Sequence, residues 1–361
     1  MRPEDKERIQ VEVVSRVVES TVQRARRRPE GHLESVVNDT LYHERLRLDR
    51  EDPSQPRVKE DLAFYGPMRK RLTHASSADL QAMAESMARH FVEEVTGNFD
   101  RRVYGLATRA IPTGLSVLLS AMSPGRMLSL GDLRSQVSDH LVVQGATDSI
   151  RDLARKGTLV VVPTHSSNLD SILLGYVWHL MGRDPLCYGA GLNLFHNPML
   201  SFFMHNLGAY KVDRKKKASL YKDVLKEYAT CSMEMGYDNL FFPGGTRSRS
   251  GAVEGKLKKG LLGCAVRAYV GNLLARRPNP NIYIVPCTLS YKLVLEGETL
   301  IEDHLKEIGK SRYIIEDDEF SRPRRILNFF NNLIGLDSRI YITFSDPLDV
   351  FGNRVDGLGN S

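Results

Sequence analysis

The chain has 361 residues, 42% of them hydrophobic, which is enough to bury a core in one large domain or a domain with a substantial appendage. Its 50 basic and 44 acidic residues give a net charge of +6, a mild excess that does not indicate a nucleic-acid partner. The first residues, MRPEDKERIQ, are polar, and no run of 18 apolar residues occurs. The sequence therefore predicts neither a signal peptide nor a conventional transmembrane helix. Secreted, collagen-like and multi-span membrane proteins are excluded.

The four cysteines, Cys187, Cys231, Cys264 and Cys287, are widely spaced. They form no CxxC pair and no cluster with histidine, which argues against a structural zinc site and against a disulfide framework. We therefore expect reduced thiols and no metal.

The N-terminal third has the texture of helices. Residues 4–27 carry four apolar side chains near helical spacing: Ile9, Val13, Val17 and Val22. The segment 50–57 (REDPSQPR) is typical of a loop, and Ser77 is a candidate cap for a helix over 78–95. That helix has an apolar stripe formed by Leu80, Met83, Met87 and Phe91. We expect a helical N-terminal region over residues 1–138.

Residues 103–122 (VYGLATRAIPTGLSVLLSAM) contain a single charge, Arg109, and are interrupted by Pro112 and Gly114. One interpretation is a buried helix-turn-helix. The other is a membrane-docking segment that lies in the plane of the lipid interface, with Arg101, Arg102 and Arg109 towards the headgroups. The apolar segment 194–203 (LFHNPMLSFF) would extend such a surface.

From about residue 139 the pattern changes to short β-branched runs separated by helical segments. The runs are HLVVQG, TLVVVP, PLCYGAG, GAYKV, NLFFP, IYIVPCTLSY and IYITFS. Alternating strands and helices predict an α/β fold with a mixed, largely parallel sheet flanked by helices. Ligand sites in such folds lie at the carboxyl ends of the strands, so the segments after each run are the places to look for chemistry.

The first such segment joins a valine-rich strand to a predicted helix. His165 lies two residues after Pro163, and Asp170 lies five residues after His165. On a continuous helix those two side chains would point roughly 140° apart, so a contact requires His165 to lie in the turn before the helix. An aspartate bonded to one imidazole nitrogen leaves the other as a base for a substrate hydroxyl, and no GxSxG nucleophile is present. By spacing alone, a helix-capping turn with a surface histidine explains the pair better.

The second segment follows an apolar strand and reads GGTRSRSG over residues 244–251. Glycines let backbone N–H groups approach an anion, and arginines bind phosphate through paired hydrogen bonds. The spacing matches neither a Walker loop nor GxGxxG. A phosphate site and a solvated basic turn both remain open, and the strand that delivers two arginines favours the phosphate site at least equally.

Two further strand ends carry candidates. Arg214 closes the short strand in GAYKVDR and is a better candidate for an aimed charge than the lysines 215–217 that follow, which are typical of a solvated face. Pro286, in the strand IYIVPC, indicates an edge or a bulge near a pocket, or a plain structural strand. Together, the four segments predict a base that activates a hydroxyl on a phosphate-bearing molecule.

These segments resemble, in order and spacing, the four motifs of the glycerolipid acyltransferase superfamily, and most closely its bacterial glycerol-3-phosphate acyltransferases. His165 to Asp170 looks like the HxxxxD motif, and residues 208–214 are similar to the second block. Residues 242–249 are similar to the FPEGTRSR block, and 284–286 to the fourth. Residues 188–193 and 221–228 also resemble segments of the glycerol-3-phosphate branch. Each motif alone is weak, but four in order form a specific signal over residues 139 to about 348.

The resemblance implies that 139–361 is the catalytic domain of a glycerol-3-phosphate O-acyltransferase. It would move a fatty acyl group from acyl-CoA or acyl carrier protein to the sn-1 hydroxyl of glycerol 3-phosphate, giving lysophosphatidic acid for phospholipid synthesis. No metal and no bound cofactor are implied. The implied catalytic residues are His165 and Asp170, and the implied substrate-binding residues are Arg214, Gly245, Thr246, Arg247, Ser248 and Arg249.

Several alternatives stay open at this point. The acceptor could be 1-acylglycerol-3-phosphate or dihydroxyacetone phosphate, and Gly244 stands where the third block usually has a glutamate that helps to position the acceptor. An alternative of another class is a non-catalytic membrane lipid-binding scaffold. The resemblance also implies a phospholipid membrane surface as a partner, with peripheral attachment to the cytosolic face of the cytoplasmic membrane. Because bacterial relatives are often much longer, we expect a C-terminally truncated chain.

Overall fold

The computed structural model describes residues 2–27, 32–109, 141–167, 169–195, 198–245, 247–248, 257–291 and 339–361. Its N-terminal part is helical. The helices are α1 (Pro3–Arg26), α2 (His32–Leu48), α3 (Pro56–Arg71), with one 3₁₀ turn at Leu72–His74, and α4 (Ser77–Val95). Residues 101–109 are also helical.

Strands and helices alternate in the rest of the described chain. In order they are β1 (Leu141–Gly145), α5 (Thr147–Leu153), β2 (Gly157–Pro163), α6 (Asp170–Leu180), β3 (Cys187–Gly191), α7 (Pro198–Asn206), β4 (Ala209–Val212), α8 (Ser219–Glu234), β5 (Asn239–Leu240), α9 (Leu262–Leu274), β6 (Asn281–Tyr291) and β7 (Ile340–Phe344). These strands form one sheet in the order β1-β7-β6-β2-β5-β3-β4. Every neighbouring pair is parallel except β6 and β7, which are antiparallel. The predicted fold class is confirmed.

The central strand β2 is apolar along its length because both of its faces are covered. Leu159 and Val161 pack on one face with the helix α6, including Trp178. Val160 points to the other face and packs against α9. Since β2, β3, β4 and β5 are parallel, the segments that follow them leave from one edge of the sheet, and these include three of the four predicted motifs.

The N-terminal helices share a hydrophobic core with the helix α8 of the α/β region. This core includes Ile9, Val13 and Val17 of α1 and the predicted α4 stripe, whose members are at most 8% exposed. The stripe was therefore predicted correctly, but the cap was not. The N-cap is Ser76, whose hydroxyl accepts from the Asp79 N–H at 3.2 Å while its own N–H donates to the Asp79 carboxylate at 3.0 Å.

The predicted loop 50–57 ends two residues early, because α3 begins at Pro56. A proline fits the first helical turn, where no backbone hydrogen bond is lost. The predicted membrane-docking segment 103–122 lies outside the described residues beyond position 109, and so does the predicted boundary between residues 138 and 139. Within the described ranges, no helix combines the length and the apolar character needed to cross a bilayer.

The edge-strand interpretation of Pro286 is wrong, because β6 lies inside the sheet between β2 and β7. β6 itself runs without interruption from Asn281 to Tyr291, as in the plain-strand interpretation, and the extra residue lies in the segment that pairs with it. Cys287 pairs with Phe344, but Ile284 pairs with Leu348, so the register shifts by one residue opposite Pro286.

Candidate active site

His165 and Asp170 are in direct contact after β2. The His165 Nδ1 atom lies 2.8 Å from the Asp170 Oδ2 atom. The helix α6 begins at Asp170, so His165 lies in the preceding turn, as the contact requires. The Asp170 side chain is fully buried, whereas the imidazole keeps 19% of its surface exposed. The ring is therefore held from the protein side and open on the other.

Asp170 is also the centre of the turn. Its Oδ2 atom accepts the backbone N–H groups of Ser166 at 2.7 Å and Ser167 at 3.0 Å. Its Oδ1 atom accepts the hydroxyl of Tyr291, at the end of β6. These donors give both carboxylate oxygens hydrogen-bond partners, so the side chain is buried without an unpaired polar atom. The same carboxylate thus orients the histidine and holds the turn before α6, whereas no side chain caps the helix at Leu169.

Phe242 and the loop after β5 also contact His165. The imidazole stacks on the Phe242 ring with 4.0 Å between the ring centroids and 26° between the planes. The Ser248 N–H donates to the His165 carbonyl oxygen at 2.7 Å. These contacts bring the third predicted segment next to the first, although about eighty residues separate them in the chain.

Arg214, after β4, contacts the turn that contains Gly245. Its Nη2 atom donates to the Gly245 carbonyl oxygen at 2.9 Å. Gly245 has a φ of +71°, and a Cβ atom there would lie 2.7 Å from the Lys258 Nζ atom, so the lysine side chain crosses the face of the glycine. Arg214 and Lys258 thus bring two positive charges to one glycine turn, an arrangement suited to an anion.

The structure gathers most of the predicted site residues at one edge of the sheet. Gly245, Arg247 and Ser248 lie in the loop after β5, close to His165 and Arg214. Thr246 and Arg249, both predicted to bind substrate, lie outside the described residues. The roles assigned to all of these residues stay predictions.

Sequence reasoning missed two neighbours of the pair, Tyr291 and Phe242. Tyr291 ends a long apolar strand, and nothing local in the sequence distinguishes it from a core tyrosine. Phe242 was named only as part of a motif, and its stacking on His165 depends on the pairing of β5 with β2.

Cys287 lies near Asp170 but is not suited to be a nucleophile. Burial, with a smaller contribution from the negative charge of Asp170, raises the pKa of the Cys287 thiol to about 12. A thiol with that pKa is almost entirely protonated at neutral pH, and the thiolate is the reactive form.

Among the described residues, one group has the ligand types for a metal ion: Asp61, His90 and Glu94, beside a cavity of about 630 Å³. Protein cations already neutralise it. Arg47 contacts Asp61, and the Lys216 Nζ atom lies 2.8 Å from Glu94. A divalent ion would have to displace those charges, so the group is better described as an ion-pair network.

Residues 143–290 match the family model described as Acyltransferase. Over these residues the chain is similar to acyltransferases. The chain is 34% identical over 221 residues to a protein of Aeromonas hydrophila named "Glycerol-3-phosphate acyltransferase", which is 61% of this chain and 25% of that protein. Over 221 residues it is 31% identical to a protein of the same name from Histophilus somni, again 61% of this chain and 25% of the relative.

A relative of that name from Pseudomonas aeruginosa PAO1 is 32% identical over 213 residues, 57% of this chain and 23% of the relative. The alignments thus span about a quarter of the length of the curated relatives that the chain matches. The matched region contains the His165–Asp170 pair, Arg214 and the loop after β5, but the family model excludes the N-terminal helices.

Proposed function

We propose that the chain catalyses acyl transfer from an acyl thioester to the sn-1 hydroxyl of glycerol 3-phosphate. The observation that carries this proposal is the His165–Asp170 pair, with its 2.8 Å contact, its buried carboxylate and its partly exposed imidazole. The names of the curated relatives support glycerol 3-phosphate as the acceptor.

In this mechanism, Asp170 accepts the Nδ1–H of His165, so the Nε2 atom carries the lone pair. Nε2 takes the proton of the sn-1 hydroxyl while the hydroxyl oxygen attacks the thioester carbonyl carbon. The tetrahedral intermediate collapses, the C–S bond breaks, and the leaving thiolate of CoA or acyl carrier protein takes the proton back from His165. The products are 1-acylglycerol 3-phosphate and a free thiol. Asp170 stabilises the imidazolium without itself being protonated.

The acceptor phosphate is assigned to the cations around the glycine turn. Arg214 already contacts this turn through the Gly245 carbonyl, and Arg247 lies in the same loop. We assign the phosphate to these two arginines and to Arg249, with Gly245, Thr246 and Ser248 shaping the loop. Arginine forks bind phosphate bidentately, which fixes the distance from the phosphate to the reacting hydroxyl.

We also propose peripheral attachment to a phospholipid surface, on the cytosolic side where the substrates are found. Two exposed apolar side chains support this: Leu106 is 55% and Phe202 is 50% exposed. Their segments lie side by side, because the Asp100 N–H donates to the Asn206 carbonyl at 2.9 Å. The exposed Arg101 and Arg102 precede Leu106 by about one helical turn and suit anionic headgroups.

The test is acyl transfer from palmitoyl-CoA and from palmitoyl-acyl carrier protein to three competing acceptors: glycerol 3-phosphate, lysophosphatidate and dihydroxyacetone phosphate. We expect turnover with glycerol 3-phosphate that His165→Ala abolishes. The matched control is His74→Ala, which removes an exposed histidine outside the site and should leave turnover unchanged.

Preference for another acceptor would support the same mechanism but change the assigned acceptor. Absence of turnover with every donor and acceptor, together with liposome binding that is unchanged in His165→Ala, would refute catalysis and support a lipid-binding scaffold.

A further inference from the structure

Arg214 is an exposed residue between two buried charges. Asp213 is only 6% exposed and Lys216 only 3% exposed, although both lie in the short loop between β4 and α8. Loops usually keep their charged side chains in solvent, because burying an unpaired charge is costly. The partners of these two residues therefore show what holds the loop.

Lys216 is held by the N-terminal helices. Its Nζ atom lies 3.1 Å from the Glu44 carboxylate of α2 and 2.8 Å from the Glu94 carboxylate of α4. It also lies 4.7 Å from the centroid of the Phe91 ring of α4, which is a cation–π distance. The lysine side chain thus passes from the loop into the core between two helices.

Asp213 is held from a third helix. The Arg57 Nη2 atom of α3 lies 3.4 Å from the Asp213 carboxylate and 3.4 Å from the Glu94 carboxylate. The Asp213 N–H donates to the hydroxyl of Tyr221 in α8 at 2.7 Å, and within the loop the Lys215 N–H donates to the Asp213 carboxylate at 2.8 Å. Asp213, directly before Arg214, and Lys216, two residues after it, are therefore both held by contacts with the N-terminal helices.

A buried ion pair of this kind is not an efficient source of stability, because well-packed apolar residues of similar volume stabilise a protein equally well or better. What it provides is a single geometry, since each charge must meet its partner. Here the geometry that is fixed is that of Arg214, whose Nη2 atom meets the Gly245 carbonyl at 2.9 Å. The fixing residues come from α2, α3 and α4, all outside the segment 143–290 that matches the family model.

We infer that the helices α2, α3 and α4 are part of the acceptor site: Glu44 and Glu94 hold Lys216, Arg57 holds Asp213, and together they place Arg214 against the glycine turn. This inference rests on the proposed function, since it assigns Arg214 to the acceptor phosphate. Lys216 and Arg57 are positioning residues, because neither touches the acceptor.

The experiment measures glycerol 3-phosphate binding by calorimetry and acyl-transfer kinetics, using the 361-residue chain and its variants Lys216→Met and Arg57→Gln. We expect the Kd and the KM for glycerol 3-phosphate to rise at least about tenfold in Lys216→Met, about 1.4 kcal/mol of binding free energy. A smaller rise is expected in Arg57→Gln. The kcat and the KM for the acyl donor should stay within about twofold, and the inhibition constant of inorganic phosphate should rise in parallel.

Lys222→Met is the matched control, because it makes the same chemical change on the exposed face of α8 and should alter none of these constants. If Lys216→Met does not fold, the double variant Glu44→Gln/Lys216→Met takes its place in the comparison, because it removes the opposite charge as well. A purely structural role would lower the active fraction, and hence the apparent kcat, without changing the KM for the acceptor.

An unchanged Kd for glycerol 3-phosphate in the folded lysine and arginine variants would overturn the inference. Binding by the unaltered chain without acyl transfer would overturn the proposed function alone, and the binding comparison would still decide the inference. Absence of glycerol 3-phosphate binding by the unaltered chain would overturn both.

Discussion

Replacing Asp170 by asparagine tests the central geometric claim, because the structure dictates how the amide must sit. The backbone N–H groups of Ser166 and Ser167 both point at Oδ2, so only the amide oxygen fits there. The amide nitrogen then faces the Tyr291 hydroxyl, which can accept as well as donate. The turn and the His165 tautomer should survive, and only the negative charge is lost.

The loss is therefore electrostatic and can be bounded. Two unit charges about 4 Å apart interact by about 4 kcal/mol at an effective dielectric constant near 20, and this attraction stabilises the imidazolium that forms as the hydroxyl is deprotonated. Solvent at the exposed part of the imidazole reduces the effect. A loss of about 3–4 kcal/mol of transition-state stabilisation corresponds to a kcat roughly 10²–10³-fold lower.

The assay is steady-state acyl transfer at saturating glycerol 3-phosphate, with the folded fraction measured by circular dichroism. Asp148→Asn is the control, because Asp148 is 92% exposed and pairs only with Arg151 among the described residues. Full kcat in Asp170→Asn would refute the role of the carboxylate. A fall that merely follows the loss of folded protein would show that Asp170 stabilises the turn and nothing more.

Three further predictions concern the scaffold. Gly263→Ala should raise the free energy of unfolding by about 0.5–1 kcal/mol, because no atom lies within 4 Å of a new Cβ atom. Gly271→Ala, on the same helix, should lower the free energy of unfolding by about 1–3 kcal/mol, because its Cβ would overlap the Glu234 carboxylate. Urea titrations of the two variants would contradict this if they shifted alike. Although burial acts to raise the pKa of Asp61, the His90 hydrogen bond and the charges of Lys216 and Arg47 lower it to about 2. The stability that Asp61 contributes is therefore complete above the unfolded pKa near 3.9 and is lost as the pH falls towards 2. Asp61→Asn should therefore flatten the plot of unfolding free energy against pH between pH 4 and 2. An unaltered slope would refute the assignment. All four cysteines are buried, and burial raises the pKa of the Cys187 thiol to about 11. Ellman's reagent at pH 8 should therefore label none of the four until guanidinium unfolds the chain. Rapid labelling of the folded chain would contradict the buried placement.

The sequence alone was sufficient for the α/β class, and it put the candidate residues at strand ends that the structure brings together. Strand runs such as TLVVVP are apolar because β2 is covered on both faces, and that composition is visible without a structure. The apolar stripe on α4 could also be predicted from the sequence, because its members repeat at the helical period. Local rules misplaced only details, such as the cap at Ser76, where two adjacent serines compete for one position.

The contacts that make the site could not be obtained in this way. The pairing of β6 with β2 and the antiparallel arrival of β7 bring Tyr291 to Asp170, and nothing near either residue encodes that meeting. The buried Lys216 belongs to a lysine run that is typical of a solvated face, and only the packing of α2 and α4 against the loop turns it inward. Periodicity and composition report which surfaces a segment must bury, whereas the partner of each buried charge is decided by long-range packing, which local sequence does not encode.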